Sequence, residues 1–191
     1  MKGIIEEVIV VSGLKRSGTA LMMQMLEAGG LPIIIDNVLL PDKNNPRGYY
    51  EYEPAKELRS NIEWLWSAGG KGVKVNAALL KELPIHFPYR IIFMERDMRE
   101  IIKSQAAMVD DQPDVATEIH MIEQVNNYIL GEVPKLIIKN PLMKIKYFKH
   151  RDFFEKPDET IQAVIDYIGK PLNAEAMKNA IDPTLYRQKA D

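Results

Sequence analysis

The sequence predicts a single α/β domain over residues 1–191. It is built as a three-layer sandwich with a mainly parallel central sheet and helices on both faces. Three observations predict it. Runs dense in β-branched residues, such as "IIEEVIVVS" and "YRIIFME", alternate with segments of helical spacing. The first run leads directly into a glycine-bracketed loop and then a helix, the order found in phosphate-binding loops. The chain has 191 residues, 46% of them hydrophobic, which is enough for one core.

Each element follows from local pattern. "IIEEVIVVS" reads as a buried strand. From Gly18, "GTALMMQMLEAGG" has helical spacing and stops at Gly29-Gly30. "LPIIIDNVLLPDKNNPRGYYEY" is a long connection dense in Pro, Asn and Gly, of the kind that often carries function. "EPAKELRSNIEWLWSAGG" predicts a helix with Pro54 in its first turn. "GVKVN" predicts a short strand and "AALLKEL" a short helix. "YRIIFME" is a strand, followed at once by the helix "RDMREIIKSQAAMV". "DQPD" is a turn before a helix over "VATEIHMIEQVNNYIL". "PKLIIKN" and "MKIKYFK" are both strand candidates, and the pattern does not choose between them. "KPDETIQAVIDYIG" and "NAEAMKNAI" close the chain as helices. The sequence has no internal repeat or low-complexity tract; the alternation is of βα units.

Composition removes several functions. There are 25 Lys+Arg against 27 Asp+Glu, a net charge of -2, so no bulk attraction to nucleic acid is expected. No cysteine is present, which excludes disulfides, thiolate metal sites and a cysteine nucleophile, and fits a cytoplasmic protein. No apolar stretch has the length of a membrane span, and the N-terminus does not read as a signal peptide. His86, His120 and His150 lack metal-ligand spacing, so no metal is expected. Met22, Met23 and Met25 read as core filler, and Trp64 and Trp66 as half-buried.

In parallel sheets ligands sit beyond the carboxyl ends of the strands. Two polar clusters follow strong strands there: Gly13–Thr19 and Arg96–Ser104. In "VSGLKRSGTA", Gly13 and Gly18 have the spacing of the Walker pattern, but Thr19 follows Gly18 with no lysine between and Ala20 comes next. Such a loop lacks the parts that serve magnesium-dependent phosphoryl transfer. It still offers backbone N–H groups, a helix N-terminus and the side chains of Lys15, Arg16, Ser17 and Thr19 to an anion. In the second cluster, Ser104 stands eight residues after Arg96, about two helical turns on. A cation and a hydroxyl so placed can grip one phosphate. Each cluster also has a plainer reading, a glycine turn with solvated cations and an amphipathic helix surface.

Together, "KRSGTA" and "RDMREIIKS" resemble the motifs of the sulfotransferase family, which has a P-loop NTPase-like fold. "GVKVNAALLKELP" is similar to the family's "IKTHLPLxLLP", and "HRDFFEKPDETIQAVIDYIG" to its "YEDLLxDPxxTIxxIxxFLG". "SGLKRSGTALMMQMLEAGGLPI" and "NPRGYYEYE" look like a bacterial branch, and the resemblance covers most of the chain. It implies transfer of a sulfuryl group from 3′-phosphoadenylyl sulfate (PAPS) to a hydroxyl or amine, releasing adenosine 3′,5′-bisphosphate (PAP). It implies that Lys15, Arg16, Ser17, Gly18, Thr19 and Ala20 hold the 5′-phosphosulfate, with Lys15 where the family has proline. Arg96 and Ser104 would hold the 3′-phosphate, and Arg16 and Lys74 would offset charge on the bridging oxygen.

The family's cytosolic members have a histidine base two residues after that lysine, where this chain has Asn76. Other branches use a glutamate after the first helix. Glu51 and Glu53 are the candidates, with Glu51 preferred because Glu53 suits a helix N-terminus, and burial of either would raise its pKa. Both also read as solvated loop charges. Arg187 and Lys189 match the family's late basic segment only loosely and read as a basic tail. The expected partner is a small-molecule, glycan or peptide acceptor shaped by residues 31–52, with neither nucleic acid nor membrane and with a homodimer left open. A P-loop kinase and a silent PAPS-binding protein are the alternatives.

Overall fold

A computed structural model describes residues 6–36, 38–42, 45–109, 117, 120, 127 and 131–186. Its centre is a five-stranded parallel sheet in the order β2-β3-β1-β4-β5. The strands are β1 (Val8–Gly13), β2 (Ile33–Ile34), β3 (Gly72–Lys74), β4 (Tyr89–Glu95) and β5 (Met143–Lys149). Every residue of β1 is buried, as expected for a central parallel strand covered on both faces.

Alternation along the strands sorts the core into two layers. Val8, Val10, Val73, Ile91 and Phe93 face one way, against Leu65, Leu80 and Leu136. Ile9, Val11, Ile92 and Met94 face the other, against three helices. These are α1 (Thr19–Ala28), α5 (Pro157–Ile168) and α6 (Ala174–Asn179). Met22, Met23 and Met25 of α1 are fully buried in that second layer, so the methionines are core. The remaining α-helices described are α2 (Met98–Val109), α3 (Val133–Lys139) and α4 (Asp152–Glu155).

The structure departs from the sequence reading in three places. The connection after α1 contributes β2, a two-residue edge strand paired with β3. Residues 53–70 form no α-helix but two 3₁₀ turns, Glu53–Lys56 and Glu63–Ser67. Side chains compete for carbonyls that a continuous helix would use: the Ser60 hydroxyl donates to the Glu57 carbonyl, and the Trp64 indole to the Asn61 carbonyl. Here Trp64 is buried, whereas Trp66 is 70% exposed. Of the two strand candidates after residue 130, "MKIKYFK" is β5 and "PKLIIKN" is α3, which takes Pro134 in its first turn. β5 lies at the sheet edge with Lys144, Lys146 and Lys149 exposed, which discourages further pairing. The turn "DQPD" and most of the helix expected over 115–130 lie outside the described residues, as do Arg187 and Lys189.

The connections out of β1 and β4 lead to opposite sides of the sheet. The strand order therefore reverses between them, and a crevice opens at their carboxyl ends. Both polar clusters sit there.

Candidate functional site

The crevice is the mouth of a cavity of about 1050 Å³. Its wall includes Lys15, Arg16, Gly18, Thr19 and Ala20 from the loop and α1, Lys74 at the end of β3 and Asn76 just after it, and Arg96 and Ser104 beyond β4. Glu51 also lines it, so the candidate residues converge from four chain segments, with Ser17 buried just behind the loop.

The loop's conformation follows from its sequence. Gly13 and Gly18 have φ of 151° and 96°, and Arg16 takes a left-handed φ of 72°, a strained value for a residue with a side chain. A Cβ on Gly18 would lie 2.4 Å from Cδ2 of His150. Inside the loop, the Ser17 hydroxyl and amide both donate to the Leu14 carbonyl, at 2.8 and 3.1 Å. Ser17 is fully buried, so in this conformation it shapes the loop from within. α1 then starts without a side-chain cap, and its first-turn residues Thr19, Ala20 and Leu21 line the cavity. An uncapped helix start beside cations has the donors that suit an anion.

The two clusters touch. Arg16 Nε donates to Ser104 Oγ at 2.8 Å, and Arg96 donates to the Arg16 carbonyl at 3.0 Å. Arg96 is nearly buried and ion-paired with Glu100 at 2.7 Å, and the Tyr186 hydroxyl donates to the other Glu100 oxygen. The Tyr186 ring lies 5.5 Å from the Arg96 guanidinium carbon and stacks on Phe154. The segment before the C-terminal tail thus forms part of the wall. Arg47, from the long connection, donates to the Ala180 carbonyl and pairs with Asp182, tying the two covering segments together.

On the other side, Lys74 Nζ donates to the Tyr49 carbonyl at 3.0 Å and lies 3.4 Å from Glu51. Burial pulls the Lys74 pKa down, and the Glu51 charge opposes this only in part. Glu51 also meets Lys56 at 2.7 Å, and Lys56 meets Glu53. Burial pushes the Glu51 carboxyl up, but Lys56 and Lys74 outweigh it and hold Glu51 below the ordinary carboxylate range. The sequence reading expected burial to win at this carboxylate; two lysines from other segments reverse the sign. Asn76 accepts from the Ala78 amide at 3.0 Å and caps the following 3₁₀ turn.

Three residues beside the site were given no role by the sequence reading, and of them only His150 lines the cavity. Glu100 was legible in principle, one helical turn after Arg96. Tyr186 and His150 carry no such local signal. His150 is 6% exposed, and its Nδ1 has no hydrogen-bond partner among the described residues. Burial, with Arg96 nearby, pushes its pKa down to about 3 from 6.5. Below pH 6.5 the unfolded chain binds a proton that the folded chain refuses. Stability is therefore full above that pH and is lost as pH falls toward 3. Between pH 6.5 and 5, where carboxylates contribute little, His150 should add a slope that grows from about 0.7 to about 1.3 kcal/mol per pH unit as pH falls. Urea unfolding of wild type and His150→Asn across that range should show the slope only in wild type; equal slopes would refute it.

No group of three or more metal-ligating side chains occurs among the described residues, and no helix among them is long and apolar enough to cross a membrane. No family model and no curated protein matches the sequence. Solved structures do. The sulfotransferase domain of the Synechococcus PCC 7002 olefin synthase superposes with a TM-score of 0.56 at 14% identity, covering 99% of this chain and 82% of that one. A sulfotransferase from Alicyclobacillus acidocaldarius gives 0.52 at 12% identity, covering 95% and 89%. The chain has a sulfotransferase-like α/β fold.

Proposed function

We propose that this chain, on its sulfotransferase-like fold, transfers a sulfuryl group from PAPS to a hydroxyl or amine acceptor and releases PAP. The observation that carries the reading is the joining of the two anion-binding clusters in one cavity: Arg16 on Ser104, and Arg96 on the Arg16 carbonyl. One cluster suits a 5′-phosphosulfate and the other a 3′-phosphate, and together they suit a nucleotide carrying both.

On this reading the α1 N-terminus, Lys15 and Thr19 receive the 5′ end of the donor. Arg96 and Ser104 receive the 3′-phosphate. The transfer is an in-line displacement in which the acceptor oxygen bonds to sulfur as the bridging S–O bond breaks. Arg16 and Lys74 offset the charge that gathers on the leaving phosphate oxygen. The sulfuryl group carries less charge than a phosphoryl group, so fixed side-chain cations serve where a kinase needs its loop lysine and magnesium. Glu51 takes the acceptor proton; it is ionised and borders the cavity. The acceptor is a small molecule, glycan or peptide, and the setting is the cytoplasm.

Calorimetric titration with PAP and with ATP, each with and without magnesium, tests the donor assignment. Tight, metal-independent binding of PAP is expected. Arg96→Ala should weaken it by roughly 10- to 100-fold, the worth of a charged hydrogen bond to phosphate. Magnesium-dependent preference for ATP would refute the proposal. A second reading, donor binding without transfer, draws on Asn76, which serves as a cap here. Sulfate transfer to any acceptor would dismiss it.

A further inference from the structure

The end of the sheet opposite the cavity carries an apolar patch that the proposed reaction does not use. Trp66 is 70% exposed, and its ring meets the buried ring of Phe87 edge-on, with centroids 4.8 Å apart. Phe87 stands just before the amino end of β4, and its carbonyl accepts from the Asn140 side chain at 3.4 Å. The Asn140 side chain in turn accepts from the Leu142 amide at 3.0 Å, and the Leu142 carbonyl accepts from the Tyr89 amide at 3.1 Å. These bonds gather Trp66, the end of α3 and the turn before β5 in one place. Ile85, two residues before Phe87, is 52% exposed, Leu142 49%, and Ile138 near the end of α3 81%.

Local bonding holds Trp66 outward. Trp64, on the same 3₁₀ turn, is buried, with its indole on the Asn61 carbonyl at 3.1 Å. The Ser67 hydroxyl donates to the Trp64 carbonyl at 3.0 Å. With Trp64 fixed inward, the residue two places on is turned to the surface and rests on Phe87. An exposed tryptophan on a rigid floor has the form of an interface anchor, because little freedom is lost when it is covered.

Area decides the occupant. Four large side chains exposed to this degree present on the order of 400 Å² of apolar surface, well into the range of functional patches. A standard interface covers about 800 Å² on each partner, and about two thirds of it is apolar when the partners are copies of one chain. The patch thus supplies most of the apolar core of one such interface. A two-fold contact covers the patch of both copies at once. The strands are parallel and their carboxyl ends face away from this patch, so pairing here leaves both cavities open.

We propose that two copies of this chain associate through the face formed by Trp66, Ile85, Leu142 and Ile138, as a two-fold dimer with its cavities turned outward. The association does not depend on the sulfotransferase reading.

Sedimentation velocity and tryptophan emission over the same protein concentrations, from about 1 to about 200 μM, test it. The mass should move from 21.8 kDa toward twice that value. Trp66 is the exposed one of two tryptophans, so emission should shift to the blue as the dimer forms. Trp66→Ser should weaken association by about 30-fold or more, the loss that marks an anchor, and Ile138→Ser should weaken it too. Both positions are exposed, and unchanged urea unfolding of the monomers would confirm that the fold survives. Val38→Ser, exposed at the cavity end, should leave the dimer intact. A monomer at every concentration would overturn the proposal, as would a dimer that Val38→Ser dissolves and Trp66→Ser does not. A blue shift on phosphatidylcholine or phosphatidylglycerol vesicles, in a chain that stays monomeric without them, would assign the face to a lipid surface and overturn it as well.

Discussion

Gly18→Ala should abolish PAP binding and destabilise the fold by about 2–5 kcal/mol. Two costs combine. The position has φ of 96°, which costs a side-chain-bearing residue about 1–2 kcal/mol. The new methyl would also stand 2.4 Å from the His150 ring, and relieving such overpacking costs about 1–3 kcal/mol. His150 has little room to give way: it packs 5.1 Å from Phe154 and 5.0 Å from Tyr186, ring centre to ring centre. The loop must move instead, and with it the start of α1. Adding His150→Ala to Gly18→Ala removes the clash but not the backbone cost. The double variant should recover part of the stability, so the two changes should couple by more than about 1 kcal/mol. Urea denaturation of the four proteins measures the coupling. Strict additivity would show that His150 does not hold the loop.

Lys74→Ala should lower kcat by about 100- to 1000-fold while changing PAP affinity far less. That is the usual cost of removing a fixed donor to developing charge. Lys74 is placed for such a role: it is mostly buried, its pKa is pulled down by burial, and the Tyr49 carbonyl holds its position. Glu51→Gln separates two roles for its neighbour. A base requires a loss of at least about 100-fold. A counter-ion that merely steadies Lys74 predicts less than about tenfold, and little further loss when added to Lys74→Ala. Transfer from labelled PAPS to a hydroxyl or amine acceptor found by screening, with PAP affinity measured alongside, reads both. Full activity in Glu51→Gln would remove Glu51 as the base, and full activity in Lys74→Ala would remove the proposed cation.

Much of the fold is local information. β1 and β4 are runs of apolar residues too continuous for a half-exposed strand, and glycines stand where α1 and α5 end. The anion loop is legible for the same reason, since its glycines answer backbone angles that other residues resist. Residues 53–70 misled because Pro54 and the apolar spacing favour a helix, while the Ser60 hydroxyl and the Trp64 indole take carbonyls that a continuous helix would use. "PKLIIKN" misled because a short apolar run fits either a strand or a buried helix.

The site divides in the same way. Chain order alone placed the two polar clusters at strand ends, because in a parallel sheet every carboxyl end faces one side. Their contact through Arg16 and Ser104, 88 positions apart, required the adjacency of β1 and β4. The charge state of Glu51 depended on Lys74 and Lys56 arriving from other segments, and the burial of His150 on Tyr186 folding back from the chain's end. Backbone angles and apolar periodicity are properties of neighbours in sequence. Electrostatics and burial are properties of neighbours in space, and those exist only once the chain has folded.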